Sequence, residues 1–430
     1  MKRSLLIMAV IAFAAVLFLS FRNQNDNQNN KNNKPTKNNY ETMWNLFNEH
    51  FKNDLPESAE KVLNDIEKQA VNDQNQPQLL KTILYRKKVM HFTVEDYTED
   101  VYIDYALKQL DRLETAEKAL LHEEIARIYN DYLSSNQYNI NQNLAIDGNL
   151  DNVQMKYWDK QTFLQRIDEH YAEALKPVET LKATSTADYI ALFENDVDTE
   201  WKTYEPTLFE FMLHRVGNYY RTKASVDDLE PGTNTETWWL DAKSFANADL
   251  GKHEKPLYQC LRLYQSLIGY DLKNNPKACL YNDFKRYEFV NGILKDDDRY
   301  HQILQQLIDQ NPDNEQCVDV AIVLATSMIR QYEQNSEDST YFDNYRKAYD
   351  LCQRIKEAFP KKKQRISAVI SIIESDLVHI NLNQINCPMR LSPPRSTTAI
   401  RNGSVTRLCA STRRTWPLWK NYIMIRSLIS

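Results

Sequence analysis

Glycine is scarce in this chain, with seven occurrences in 430 residues where average usage would give about 30. Loops that cradle phosphate groups need glycine, because the backbone must approach the anion closely. Neither a G-x-G-x-x-G nor a G-x-x-x-x-G-K-S/T pattern occurs. The sequence therefore argues against nucleotide-dependent catalysis, and its composition favours helix.

Acidic residues are absent after Asp376. Residues 377–430 contain no Asp or Glu but eight Lys and Arg. The first 376 residues hold all 59 acidic residues and 45 of the 53 basic ones, which gives them a net charge of −14. Residues 377–430 are either a genuine basic tail or the product of a shifted reading frame. The second explanation is favoured, because a nucleic-acid-binding tail would cluster its Lys and Arg.

The N-terminus combines basic residues with a long apolar run. Lys2 and Arg3 precede residues 5–21, which are apolar except for Ser20. Residues 1–22 are therefore predicted to be an export signal, either a cleaved signal peptide or an uncleaved inner-membrane anchor. The Asn-rich residues 23–39 are too polar to fold and are predicted to be a linker. The remainder is expected in the periplasm or cell envelope.

Apolar residues recur at helical spacing through residues 40–376. The stripes are Met43, Leu46, Phe47, His50 and Phe51; Ala59, Val62, Leu63, Ile66 and Ala70; Leu257, Cys260, Leu261, Tyr264 and Ile268; and Ala348, Leu351, Cys352, Ile355 and Phe359. Hairpins of this size must stack on neighbours to bury their apolar faces. The predicted fold is all-α: a degenerate array of antiparallel helical hairpins forming an α-α superhelix like that of tetratricopeptide (TPR) repeats.

The periodicity changes just past Asp376. Val378, Ile380 and Leu382 alternate with polar residues, which is the two-residue period of a strand. A β element is therefore predicted to begin at 377 and to lose its pattern after Cys387, where a disordered tail follows.

The sequence offers no complete catalytic or metal site. His122 and Glu123 begin an H-E-x-x-H zinc pattern, but Ala126 stands where the second imidazole is needed. We therefore predict no enzymatic activity, no metal and no cofactor. His122 is expected on a helix surface or in packing.

The helical region contains four cysteines. Export would permit disulfides, yet two of the four lie on apolar stripes like small hydrophobic residues. All four are predicted to be free and buried: Cys260, Cys279, Cys317 and Cys352.

His214 and Arg215 are the remaining candidate residues. They follow Pro206 on a predicted helix, with Phe209 and Phe211 close in sequence. One hypothesis makes them a charged anchor for a protein partner. The other, which is favoured, makes them a hydrogen-bonded structural pair between hairpins, because buried polar groups are normally paired.

Several segments resemble the N-terminal helical region of the alpha-2-macroglobulin-like proteins of Bacteroides-type bacteria. The resemblance spans most of residues 40–376 and is carried by the order and spacing of its parts. The main segments are 54–59 (DLPESA), 77–81 (PQLLK), 171–175 (YAEAL), 205–209 (EPTLF) with His214 and Arg215, and 284–290 (FKRYEFV).

The resemblance implies a function outside the cytoplasm. Members of that family inhibit endopeptidases, and their helical region precedes a series of β-sandwich domains that perform the trapping. No Cys-Gly-Glu-Gln thioester motif occurs in this sequence. The chain is therefore expected to be a non-enzymatic scaffold truncated before the macroglobulin domains, with those domains and proteases as its protein partners.

A second function class stays open. In this alternative, the array is a free-standing envelope module that binds a peptide or protein, as helical-repeat adaptors do. Nucleic acid is not an expected partner, because a body with a net charge of −14 repels phosphate backbones. Membrane contact is expected through residues 1–22 if they are not cleaved.

Overall fold

The computed structural model describes residues 37–145, 153–192, 201–335, 338–341 and 343–378. Within these ranges the chain folds into α-helices joined by turns and short 3-10 segments, and it forms no strand. An isolated antiparallel bridge joins Ser185 and Thr207. The prediction of an all-α fold is confirmed.

The chain divides into two compact units, Met1–Ala174 and Leu175–Ser430. The described helices of the first unit are α1 (Lys37–Lys52), α2 (Pro56–Asn72), α3 (Gln76–Thr93), α4 (Glu99–Gln109), α5 (Thr115–Ser135), α6 (Gln137–Ile140) and α7 (Lys160–Leu175). Leu175, the last residue of α7, is already assigned to the second unit.

Helices α1, α2 and α3 contact one another in chain order. Three-residue connections reverse the chain between them, as expected for helical hairpins. Asp54 and Gln74 adopt left-handed φ angles of 54° and 53° in these connections, at positions where glycine is the usual residue. A chain with few glycines thus makes its tight reversals with polar residues.

The predicted stripe of α2 is confirmed, whereas that of α1 is wrong in part. Ala59, Leu63, Ile66 and Ala70 are all buried on α2, and Val62 is partly buried. On α1, however, Leu46 is 42 % exposed and Trp44 is buried beside Phe47. The buried face of α1 includes Trp44 rather than Leu46, because the indole Nε1 donates a hydrogen bond to Gln78 Oε1 of α3 at 2.7 Å. An indole N–H needs such a partner when it is buried.

The described helices of the second unit are longer toward its C-terminal part. They are α8 (Val178–Ala183), α9 (Trp201–Tyr204), α10 (Leu208–Lys223), α11 (Ala242–Phe245), α12 (Pro256–Asn274), α13 (Pro276–Leu294), α14 (Asp297–Gln310), α15 (Cys317–Gln334), α16 (Asn344–Ala358) and α17 (Lys363–Val378). From α12 onward, each helix contacts the next one along the chain.

One continuous hydrophobic core runs through the second unit from Trp238 to Ile373. The predicted stripes of α12 and α16 lie in this core, except that Tyr264 is only partly buried. The four cysteines of the described residues are free and buried, as predicted. Each therefore acts as a small hydrophobic side chain.

Arg286 fixes the segment between α10 and α12 to the core. Its side chain lies on α13, is 0 % exposed, and donates hydrogen bonds to the carbonyl oxygens of Trp238 and Leu240 and to Asp283. The guanidinium carbon, Cζ, also lies 4.1 Å from the Phe245 ring centroid. Burying a guanidinium requires this full set of partners, because an unpaired buried charge is strongly unfavourable.

The ends of the helical region differ from the prediction at two points. Helix α1 begins at Lys37, so residues 37–39 are helical rather than part of the linker. Helix α17 continues to Val378, so the predicted strand does not begin at 377. Leu377 follows Ile373 by four residues, and this apolar spacing continues the helix.

Other predictions fall outside the described residues. These are the export signal of residues 1–22, the linker of residues 23–36, the β element beyond Val378, and the basic tail. Among the described residues, no helix combines the length and apolar character needed to cross a bilayer.

Replacing Arg286 with Met should destabilise the protein by about 3 to 5 kcal/mol, because Asp283 would lose its buried cation and two carbonyls would lose their donor. Urea unfolding followed by circular dichroism measures the change. Arg346, whose side chain is 71 % exposed, supplies the control, and R346M should alter the unfolding free energy by less than about 0.5 kcal/mol. Equal unfolding midpoints for R286M and R346M would contradict the role assigned to Arg286.

Candidate functional site

The start of α10 is fixed by two sets of hydrogen bonds. The Ser185–Thr207 bridge includes a bond from Thr186 N to Pro206 O at 3.1 Å. Thr207 then caps the helix, and the Glu210 side chain accepts from the Thr207 backbone in return. Such a capping box satisfies otherwise unpaired N–H groups of the first turn. Glu205, two residues before the cap, is thereby held at a defined position.

His214 joins Glu205 to α13. Its Nδ1 lies 2.5 Å from Glu205 Oε1, and its Nε2 lies 2.8 Å from Asn282 Oδ1. Both partner atoms accept hydrogen bonds when Glu205 is ionised, so this geometry favours the doubly protonated ring, an imidazolium. Burial opposes this charge, but the hydrogen bond and charge of Glu205 outweigh it and raise the pKa of His214.

The network continues from Asn282 to a buried carboxyl group. The Asn282 amide donates to Asp271 Oδ2 at 2.7 Å, which links α13 to α12. Asp271 is 0 % exposed, and burial raises its pKa to about 8, with the nearby Glu210 carboxylate acting in the same direction. Three helices are therefore joined by one set of polar side chains that holds more protons than it would in water.

The structure places His214 and Arg215 in different surroundings. His214 reaches α13, whereas the Arg215 guanidinium lies 5.2 Å from the ring centroid of Phe211 on its own helix. Consecutive helical residues point about 100° apart, which explains the separation. His214 thus makes a contact between helices, while Arg215 lies over Phe211 of its own helix.

A cavity of about 240 Å³ lies beside His214, between α10, α12 and α13. Its wall combines apolar, aromatic and charged side chains. The lining residues are Glu205, Leu213, His214, Gly217, Asn218, Arg221, Cys260, Leu263, Tyr264, Leu267, Tyr281, Asn282 and Lys285. Asn218 and Arg221 are exposed, so the cavity opens to solvent.

The cavity contains a thiol and an imidazole, yet neither is prepared for catalysis. Burial raises the pKa of Cys260, so the thiol stays protonated at neutral pH and is a weak nucleophile. Both ring nitrogens of His214 are already engaged by hydrogen-bond partners, Glu205 and Asn282. The arrangement can position a ligand by charge and shape.

His122, the other sequence candidate, contacts a second histidine. His122 on α5 and His170 on α7 place their Nδ1 atoms 2.9 Å apart. Burial and the adjacent His122 lower the pKa of His170 to about 4. In the described part of the chain, no group of three or more His, Cys, Asp or Glu side chains is arranged to hold a metal ion.

Most of the polar residues at this site were not predicted from the sequence. Asp271 had a detectable signal, because it continues the apolar stripe of α12 three residues after Ile268. A carboxyl group on a buried stripe marks a buried polar contact. Asn282, Arg221 and Lys285 carried no comparable signal.

No family model matches the chain, and comparison with curated proteins and with solved structures gave no match either.

In any pH range where the folded second unit binds more protons than the unfolded chain does, the free energy of unfolding should fall as pH rises. For Asp271 this loss extends from about pH 4, near its unfolded pKa, to about pH 8. For His214 it begins near pH 6.5 and continues above it, because its folded pKa is raised. Asp271→Asn should remove the contribution of Asp271, so that the free energy of unfolding changes less between pH 4 and pH 8.

Urea unfolding across this pH range provides the measurement. Asp227→Asn, which changes an exposed carboxyl group of the same unit, should keep the wild-type slope. A D271N protein with the wild-type slope would contradict the assignment of the buried proton.

His170 of the first unit should contribute a pH dependence of the opposite direction. Because the folded pKa of His170 is lowered, the unfolded chain binds more protons between about pH 6.5 and 4, and stability falls as pH falls through that window. His170→Gln should reduce this loss in acid-unfolding curves followed by circular dichroism. His50→Gln, which lies on α1 away from the histidine pair, should preserve the loss, and an acid midpoint that is identical in H170Q and wild type would refute the explanation.

Proposed function

We propose that this chain is the N-terminal helical scaffold of an exported alpha-2-macroglobulin-like endopeptidase inhibitor. The scaffold is non-enzymatic and consists of stacked helical hairpins in a TPR-like arrangement within the cell envelope. The observation that carries the proposal is that two of the segments behind the resemblance, residues 205–209 with His214 and residues 284–290, supply buried polar contacts between elements.

Those contacts give a physical reason for the residue types in the segments. Glu205 must be acidic to hold the His214 imidazolium, and Arg286 must be a guanidinium to reach two carbonyls and Asp283 at once. Buried polar contacts that hold the helices rigidly suit a spacer between an envelope anchor and neighbouring domains. In this role the protein partners would be the macroglobulin domains and, through them, proteases.

A second candidate function is a helical-repeat module that binds a peptide or protein. The observation that favours it is the solvent-open cavity between α10, α12 and α13, which a pure spacer does not need. Binding sites commonly combine apolar walls with a few placed polar groups, as this cavity does.

The genomic sequence downstream of the Asp376 codon, read in all three frames, tests the scaffold proposal. We expect a frame other than the present one to encode consecutive β-sandwich domains, because residues 377–430 have a composition unlike that of residues 1–376. Residues 1–376 provide the control, since their own frame should be the only long open one. Stop codons in every frame after Asp376 would contradict the scaffold proposal and favour the free-standing module.

A further inference from the structure

The cavity in the second unit is small enough to limit what it can hold. Its volume is about 240 Å³, and pockets for drug-sized ligands are commonly about 300 to 1,000 Å³. A nucleotide or an oligosaccharide is therefore too large to be enclosed. A single amino-acid residue is of the appropriate size.

The charged part of the wall favours an anion. Arg221 is exposed and donates one hydrogen bond to Asn218 Oδ1 at 3.0 Å. Its other guanidinium N–H groups can donate to a ligand. Lys285 is paired with Glu288 at 2.9 Å, but this is a partly exposed i,i+3 pair of the kind that contributes little. The carboxylate that lines the cavity, Glu205, is paired with His214, whose pKa is raised by this contact.

Another part of the wall is apolar. Leu213 and Leu267 are buried there, and Leu263 and Tyr264 are partly buried. An anion without an apolar group, such as phosphate, would leave this apolar surface uncovered. A ligand that fits both parts carries a negative charge and an apolar group within the size of one residue.

Gly217 lines the cavity at a position where the backbone conformation does not require glycine. It lies inside α10 with no left-handed φ angle, and a Cβ added there would meet Leu263 Cδ1 at an ordinary 4.0 Å. Alanine would therefore fit and would favour the helix. The absence of a side chain at this point preserves space in the cavity wall.

We propose that this cavity binds the C-terminal residue of a peptide, with the terminal carboxylate at Arg221 and Lys285 and the apolar side chain against Leu263 and Leu267. Of the residues in a peptide, only the C-terminal one carries both a carboxylate and an apolar side chain on the same Cα. Capture of a terminal carboxylate is an established mode of peptide recognition. The inference rests on the second proposed function, that the helical array holds a peptide.

Fluorescence anisotropy with the full-length protein tests the proposal. The probe is a fluorescein-labelled hexapeptide of Gly and Ser ending in Leu with a free carboxylate. The same peptide with a C-terminal amide should bind at least about tenfold more weakly, because it loses a charge-assisted hydrogen bond. An amidated peptide with an internal Glu should bind no better than the amide, which separates a terminal carboxylate from an acidic side chain.

Variants locate the binding site on the protein. R221Q and K285Q should each weaken binding of the free-acid peptide about tenfold or more, whereas K277Q should bind it like wild type. Lys277 is exposed on α13, the helix of Lys285, but does not line the cavity. Gly217→Ala should raise the Tm and weaken binding together, a combination that a purely structural glycine would not give.

The outcomes distinguish this inference from the function on which it rests. Equal affinity for the acid and the amide, or wild-type affinity in both R221Q and K285Q, would overturn the carboxylate site and leave a peptide-binding module standing. Failure of the acid, amide and internal-Glu peptides alike to bind would overturn both the site and the module.

Discussion

The burial of the Arg286 guanidinium is the constraint on which the second unit depends. A charge with no exposure is tolerated only when it is well paired, and here each guanidinium nitrogen has an acceptor among Asp283 and the carbonyl oxygens of Trp238 and Leu240. Those carbonyls belong to a segment with little regular structure of its own. The position of that segment, and of Trp238 in the hydrophobic core, therefore follows from one side chain on α13.

A second polar network, from Glu205 through His214 and Asn282 to Asp271, joins α10, α12 and α13 in the same unit. It differs from the Arg286 network in holding protons as well as charge. The cavity lies directly against it, so the same side chains that brace the three helices also form part of the cavity wall. Rigid walls reduce the ordering cost that a bound ligand would otherwise have to overcome.

Sequence periodicity predicted the helices well where buried faces are aliphatic. The stripes of α2 and α16 were correct because leucine, isoleucine and alanine are buried for their apolar area alone. The face of α1 was misjudged because Trp44 is placed by a hydrogen bond to another helix, which no local pattern encodes. The acceptors of Arg286 could not be predicted at all, since they are backbone carbonyls 46 and 48 residues earlier in the chain. Asp271 was the exception among the site residues, as its place on an apolar stripe was visible.

The contact between Arg286 and the carbonyls of Trp238 and Leu240 also bears on the order of folding. The helices can form from neighbouring residues, but this contact closes a long loop and gains nothing until α13 exists to receive the carbonyls. We therefore expect the stretch between α10 and α12 to be the last part of the unit to settle. Until it does, the nascent chain exposes the apolar surface that Trp238 later covers, and a chaperone that shields apolar surface would act on it during this interval.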